Sequence, residues 1–228
     1  MSQVPAAFAD VQAAIVDLDG TMVDTIGDFV VALNAMLADL TLPRIGRAFI
    51  EHTVGKGSEH LIRSTLDEVG AEPELYARAW ALYQQHYLVV NGQHSTVYPG
   101  VAQGLERLVG RGWKLACLTN KPTAFALPLL RQKGLDGFFS AVFGGDAFER
   151  KKPDPLPLLR TCEALGSLPA RTLMVGDSSN DARAARAAGC PVVLVSYGYN
   201  HGEPVHAVDA DGVVDRIDQL YRIVTSLA

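Results

Sequence analysis

From Trp113 onward the chain alternates between short apolar runs and stretches of helical periodicity, and this alternation narrows the possible folds more than any other feature. The runs are KLACLTN (114–120), AVFGGD (141–146), TLMVGD (172–177) and VVLVSY (192–197), with a weaker GVVD (212–215). Between them, VAQGLERLVG, AFALPLLRQKG, PLPLLRTCEALG and NDARAARAAG carry apolar residues at helix spacing. Several of these close on glycine, as helix C-termini often do. Near-continuous apolar strands separated by helices predict an α/β fold: a parallel sheet with helices on both faces. Pro128 sits inside the second helical pattern and weakens it there.

One further strand stands apart at the start, AAIV (13–16), and the segment after it is different in kind. Ile26, Phe29, Val30, Leu33, Met36, Leu37 and Leu40 recur at helical spacing and predict an amphipathic helix. Ser58 reads as the N-cap of a second helix, and a third begins near Glu74 with Leu75, Ala79, Leu82 and His86. No strand pattern is visible before the sheet resumes after Tyr98-Pro99-Gly100. The expected organisation is therefore a core of residues 1–23 and 98–228 with an all-helical insertion at 24–97. A chain of 228 residues suits one core carrying such an insertion.

The first strand ends on Asp17-Leu18-Asp19-Gly20-Thr21. In an open parallel sheet, ligands bind beyond the carboxyl ends of the strands. The same rule collects Thr119-Asn120-Lys121 after KLACL, Asp177-Ser178-Ser179-Asn180-Asp181 after TLMVG, and Lys151-Lys152-Pro153-Asp154 from the loop after AVFGGD. Each cluster alone has an ordinary explanation: a turn, a strand cap, a solvated loop, a helix start. Four of them at one sheet edge have a joint chemistry. Asp17 and Asp177 can hold a hard divalent cation, Mg²⁺ being the natural choice. Asp17 can then attack a phosphoryl group while Asp19, two residues on, moves the protons. Thr119, neighbouring backbone amides and Lys152 can meet the phosphoryl oxygens. Gly20 allows the backbone to turn close to the ligand.

Other chemistries find no support. Gly55-Lys56-Gly57-Ser58 lacks the spacing of a nucleotide-binding phosphate loop, and the six histidines form no zinc-type pair. Neither acidic loop has the glycine an EF-hand needs at its sixth position, and no G-x-S-x-G elbow occurs. A net charge of −5 without basic runs argues against nucleic acid or an anionic membrane as partner. Cys117, Cys162 and Cys190 suggest neither a disulfide framework nor a zinc site, which suits a reducing cytoplasm. No signal-peptide pattern and no apolar run of membrane-spanning length is found. The expectation is a cytoplasmic enzyme, monomeric or homodimeric, acting on a small-molecule phosphate ester.

In order and spacing, DLDGTMVDT, LTNK, KKPDP and GDSSND resemble the four motifs of the haloacid dehalogenase superfamily. The resemblance covers essentially the whole chain. It implies a Rossmann-like core, an Asp17 nucleophile, Asp19 as acid and base, and Mg²⁺ held by Asp17, the Asp19 carbonyl and Asp177. It also implies phosphate contacts from Thr119, Asn120 and Lys152, support from Asp181, and a C1-type helical cap that closes over the site. Members without a second acid cleave carbon–halogen or carbon–phosphorus bonds, so Asp19 favours phosphate transfer. HTVGKGSEHL (52–61), YPGV (98–101) and SYGYNHGEP (196–204) resemble the bacterial phosphoglycolate phosphatases, which implies 2-phosphoglycolate as substrate. Lys56 and His52 are then candidates to meet its carboxylate. Hydrolysis of a sugar, amino-sugar or nucleotide phosphate or of pyrophosphate, or a β-phosphoglucomutase-like reaction, would use the same catalytic residues. A non-enzymatic relative would be expected to lack Asp17 or Asp19.

Overall fold

A computed structural model of the chain describes residue 8 and residues 10–225. Most of the N-terminal stretch in which no signal pattern is found lies outside them, as does the end of the 98–228 segment.

Six strands form one parallel sheet: β1 (Ala13–Val16), β4 (Lys114–Leu118), β5 (Ala141–Phe143), β6 (Thr172–Gly176), β7 (Val192–Val195) and β8 (Gly212–Val214). Their order across the sheet is β5-β4-β1-β6-β7-β8. β1 lies in the middle, with Val16 opposite Cys117 on one side and Val175 on the other. The chain extends the sheet first through β4 and β5, then returns to extend it the other way through β6. That reversal leaves a crevice at the carboxyl ends of β1, β4 and β6.

β1 shows why its sequence is apolar without alternation. Ala14 and Val16 pack into the cluster formed by α5 (Val101–Gly110) and α6 (Thr123–Gln132). Ala13 and Ile15 face α7 (Leu156–Leu165) and α8 (Ser179–Ala188) on the opposite side. Both faces are covered, so both sets of side chains must be apolar. α6 runs through Pro128, whose position leaves enough of the helix intact for Phe125, Ala126, Leu129 and Leu130 to be buried.

The insertion contains α1 (Ile26–Asp39), α2 (Arg47–Thr53), α3 (Ser58–Glu68) and α4 (Tyr76–Val90). These helices share their own core of Phe29, Leu33, Met36, Leu37, Ile50, Leu61, Ile62, Tyr83 and Tyr87. Fully burying each such side chain is worth roughly 1.5–3 kcal/mol, so the insertion has its own reason to hold together. Phe125 and Tyr199 reach into that core from the sheet domain.

Three local expectations are corrected. Gly57, not Ser58, occupies the N-cap of α3; Ser58 is already helical, and no side chain caps the helix. The third helix is preceded by a 3₁₀ turn at Pro73–Leu75, because proline is well placed in a first turn. The insertion is also not purely helical at its ends: β2 (Val23–Asp24) and β3 (Thr96–Val97) pair antiparallel where the chain leaves and re-enters the core. Two-residue strands carry no periodicity, so no pattern in the sequence reveals them.

Candidate active site

The crevice gathers the strand-end residues. Asp17, Asp19, Thr119, Asn120 and Lys121 line one cavity of about 30 Å³, together with Val54, Gly55, Gly57, Ser58, Leu61 and Tyr83 from the insertion. The insertion therefore forms the roof over the first strand's acids.

Lys152 is almost fully buried and lies 2.9 Å from Asp17 Oδ1 and 2.7 Å from Asp181 Oδ1. It also donates to the Leu118 carbonyl at 2.9 Å. Burial works against its charge, but the two carboxylates raise its pKa overall. The loop that carries it is fixed by Asn120, whose Nδ2 donates to the Lys152 carbonyl at 2.8 Å and whose Oδ1 accepts the Lys152 N–H at 3.1 Å. The Asn120 side chain thus ties two loops together, and its Nδ2 also reaches the Gly55 carbonyl at 3.0 Å. Both ends of its side-chain amide are therefore engaged within the protein.

Asp181 stands at the third residue of α8 in a capping box with Ser178. Its Oδ2 accepts from the Ser178 hydroxyl at 2.9 Å and from the Ser178 and Asp177 amides at 3.1 and 3.2 Å. Asp177 accepts from the Thr21 hydroxyl at 2.8 Å and from the Tyr199 amide at 2.6 Å. Gly20 and Gly198 make this packing possible: a Cβ at Gly20 would stand 2.4 Å from Asp177 Oδ2, and one at Gly198 would stand 2.1 Å from Asp177 Cβ.

Asp17, Asp177 and Asp181 each offer an oxygen within 4.8 Å of the others, all three buried. One ammonium, that of Lys152, pairs with two of the three, Asp17 and Asp181. Burial pushes the Asp17 carboxyl up to about 7, with Lys152 opposing and Asp181 adding to the rise. Burial, then Asp181 and Asp17, hold Asp177 well above the usual carboxylate range. Asp17 Oδ1 has the Lys152 ammonium 2.9 Å away and no other partner among the described residues. Clustered carboxylates with excess negative charge fit a hard divalent cation. Both oxygens of Asp181 and both of Asp177 already accept hydrogen bonds, so Asp17 is the least engaged of the three.

Asp19 is held separately. Its Oδ1 accepts from the Thr25 hydroxyl at 2.7 Å and from Lys121 Nζ at 2.9 Å. Lys121 Nζ also donates to the Tyr87 hydroxyl at 2.5 Å and lies over the Phe29 and Tyr87 rings at 4.6 and 4.7 Å. No spacing in the sequence assigns Lys121, Thr25 or Tyr87 a role. Lys121 is visible as the residue after Thr119-Asn120, but nothing in the sequence ties it to Asp19. Thr119 accepts the Lys121 N–H at 3.2 Å, which orders the turn beyond β4.

Lys56 and His52 stand elsewhere. Both are exposed. Gly55 and Gly57, with φ of 107° and 89°, turn the loop so that Lys56 lies in an outer groove beside His60, Arg63 and Glu149. The His52 ring accompanies the Ala48 carbonyl at 2.6 Å and borders a separate cleft with Asp24 and Tyr197.

A central parallel strand delivering two aspartates beneath a helical roof, with lysine and a third aspartate from later strands, matches one hydrolase family throughout. The chain belongs to the haloacid dehalogenase-like hydrolases, whose family model matches residues 14–195. It is 43% identical over 204 residues to the phosphoglycolate phosphatase of Thiobacillus denitrificans, covering 88% of this chain and 90% of that protein. The Nitrosospira multiformis phosphoglycolate phosphatase is 42% identical over 203 residues, 88% of this chain and 89% of that one. The crystal structure of a predicted phosphoglycolate phosphatase from Haemophilus somnus 129PT superimposes with a TM-score of 0.91 at 32% identity, over 94% of this chain and 98% of that chain.

Proposed function

We propose that this protein is a Mg²⁺-dependent phosphatase that hydrolyses 2-phosphoglycolate to glycolate and phosphate. The observation that carries the reading is the division of charge around β1: Asp17 faces Lys152 and Asp177, while Asp19 is held apart by Thr25 and Lys121. The two acids therefore have separate tasks.

Asp17 attacks the phosphorus and becomes an aspartyl-phosphate. Asp19 gives a proton to the departing alkoxide and later takes one from the attacking water. Lys152, the Thr119 hydroxyl and the Asn120 main-chain N–H meet the phosphoryl oxygens, and Asp181 keeps Lys152 in place. Asp17, the Asp19 carbonyl and Asp177 would hold the cation, which when bound would offset the repulsion between carboxylate and phosphate. The insertion, residues 24–97, acts as a cap that excludes water while the ester is cleaved. The names of the relatives support 2-phosphoglycolate. Buried free cysteines suit a cytoplasmic setting, and no helix of the described residues is long and apolar enough to cross a membrane. We expect a monomer or homodimer.

The test is a panel of phosphate esters with Mg²⁺, ranked by kcat/KM and read as free phosphate. 2-Phosphoglycolate should lead. A sugar phosphate turned over much faster, or an isomer formed without free phosphate, would refute the substrate.

A further inference from the structure

The exposure of Lys56 and His52 leaves open which groups select the leaving group, and the cavity roof offers others. Tyr83, on α4, is fully buried and lines the cavity, and its hydroxyl has no directed hydrogen bond among the described residues. It lies beside Ser58, and burial holds its pKa far above the usual range, so it is a neutral donor. A buried hydroxyl without a partner costs free energy, so it points to a ligand that completes it.

A second observation points the same way. Gly57 and Ser58 also line this cavity, and they begin the 11-residue helix α3, which no side chain caps. The first amides of a helix lack partners within it and favour negative charge. On the floor opposite stands Lys121, which supplies a positive charge shared with Asp19. Phe29, Val54, Leu61 and Phe125 add apolar wall. Asp17, Asp19, Thr119 and Asn120 line the same cavity and are the groups assigned above to the phosphoryl end, which leaves the two roof donors and the Lys121 ammonium for a short anionic leaving group.

We propose that Tyr83, Ser58 at the start of α3, and Lys121 form a carboxylate subsite that selects phosphorylated short hydroxy acids. It rests on the phosphatase reading above and names the groups of that site that recognise the leaving group. The roof contributes the donors, so the subsite is complete only when the insertion is seated over the core. The apolar walls set the length of the acid, and the donors set its charge.

The test compares 2-phosphoglycolate with ethyl phosphate, which has the same length and no carboxylate, in the wild type and in Tyr83→Phe. The ratio of the two kcat/KM values should favour 2-phosphoglycolate in the wild type and fall about tenfold or more in the variant, the effect expected for a lost hydrogen bond to a charged group. An unchanged ratio overturns the subsite and leaves the phosphatase reading intact. Failure of the wild type to cleave either ester overturns the phosphatase reading instead. The subsite is then judged without catalysis, by thermal stabilisation with millimolar glycolate. A larger shift for the wild type than for Tyr83→Phe supports it, and an equal response, including none, overturns it. Phenylalanine fills the same space and removes only a hydroxyl that stands beside Ser58 without a directed hydrogen bond among the described residues, so folding should survive.

Discussion

Asp181 holds the Lys152 ammonium 2.7 Å from one carboxylate oxygen while the other oxygen caps helix α8, so one side chain joins the start of that helix to a loop 29 residues earlier. Asp181→Ala should therefore act on stability as well as on catalysis. Removing one partner of a buried ion pair costs about 3–5 kcal/mol. Ser178→Ala, which loses only the cap, should cost about 1 kcal/mol. Urea unfolding of the two variants measures the difference, and equal losses would contradict the coupling.

Asp17→Asn should abolish turnover, by about 10⁴-fold or more, because amide nitrogen and oxygen cannot replace the nucleophile. It should also flatten the pH dependence of stability in the metal-free protein. In the unfolded chain the Asp17 proton leaves near 3.8, whereas in the folded protein burial holds it to about 7. Between those values the folded state binds more protons, so stability falls as pH rises from about 4 to 7. The loss is on the order of 4 kcal/mol at most. Unfolding in chelator at pH 5 and pH 8 should show it, Mg²⁺ should restore stability at the higher pH, and the asparagine variant should show neither effect from this site.

Gly20→Ala should weaken metal binding. The backbone there has φ +82°, and a Cβ would lie 2.4 Å from Asp177 Oδ2 and 2.8 Å from the Tyr199 ring. Both the strained conformation and the clash push Asp177 away, at a cost of roughly 1–3 kcal/mol. A titration of activity with Mg²⁺ should show a requirement raised about tenfold or more, with protein stability lowered modestly.

Lys121→Met should lower kcat by about 10²-fold for ethyl phosphate and 2-phosphoglycolate alike, because Asp19 Oδ1 keeps Thr25 but loses its charged partner. It should raise KM further for 2-phosphoglycolate, whose carboxylate Lys121 also meets. The methionine preserves contact with the Phe29 and Tyr87 rings, so the thermal midpoint should move little compared with kcat. Steady-state kinetics beside a melting curve separates the two effects. A large loss of stability with kcat preserved would remove Lys121 from the proton-transfer step.

Much of this architecture is legible in the chain because it depends on local pattern. The apolar runs, their helical separators and the acids that end them lie within a few residues of one another, and parallel-sheet geometry then places those acids at one edge. Short or conformation-dependent features are not legible there: the β2–β3 pair, the N-cap of α3 at Gly57, and the outward turn of Lys56 between two glycines with positive φ. In each case the sequence is compatible with more than one backbone path, and packing selects among them.

The sequence by itself determined which residues end the strands, and with them an oxygen-rich sheet edge beneath a helical insertion. Only the tertiary structure decided how those residues are shared out. Lys152 joins Asp17 and Asp181, Lys121 joins Asp19 and Tyr87, and the Tyr83 hydroxyl lines the cavity beside Ser58 without a directed hydrogen bond among the described residues. These partners lie 34 to 102 residues apart where they cross from Lys121 to the insertion and to β1. No spacing rule reaches that far. The physical reason is burial: once the insertion is packed over β1, each buried charge must find its counter-charge or its ligand, and the packed geometry determines which is within reach.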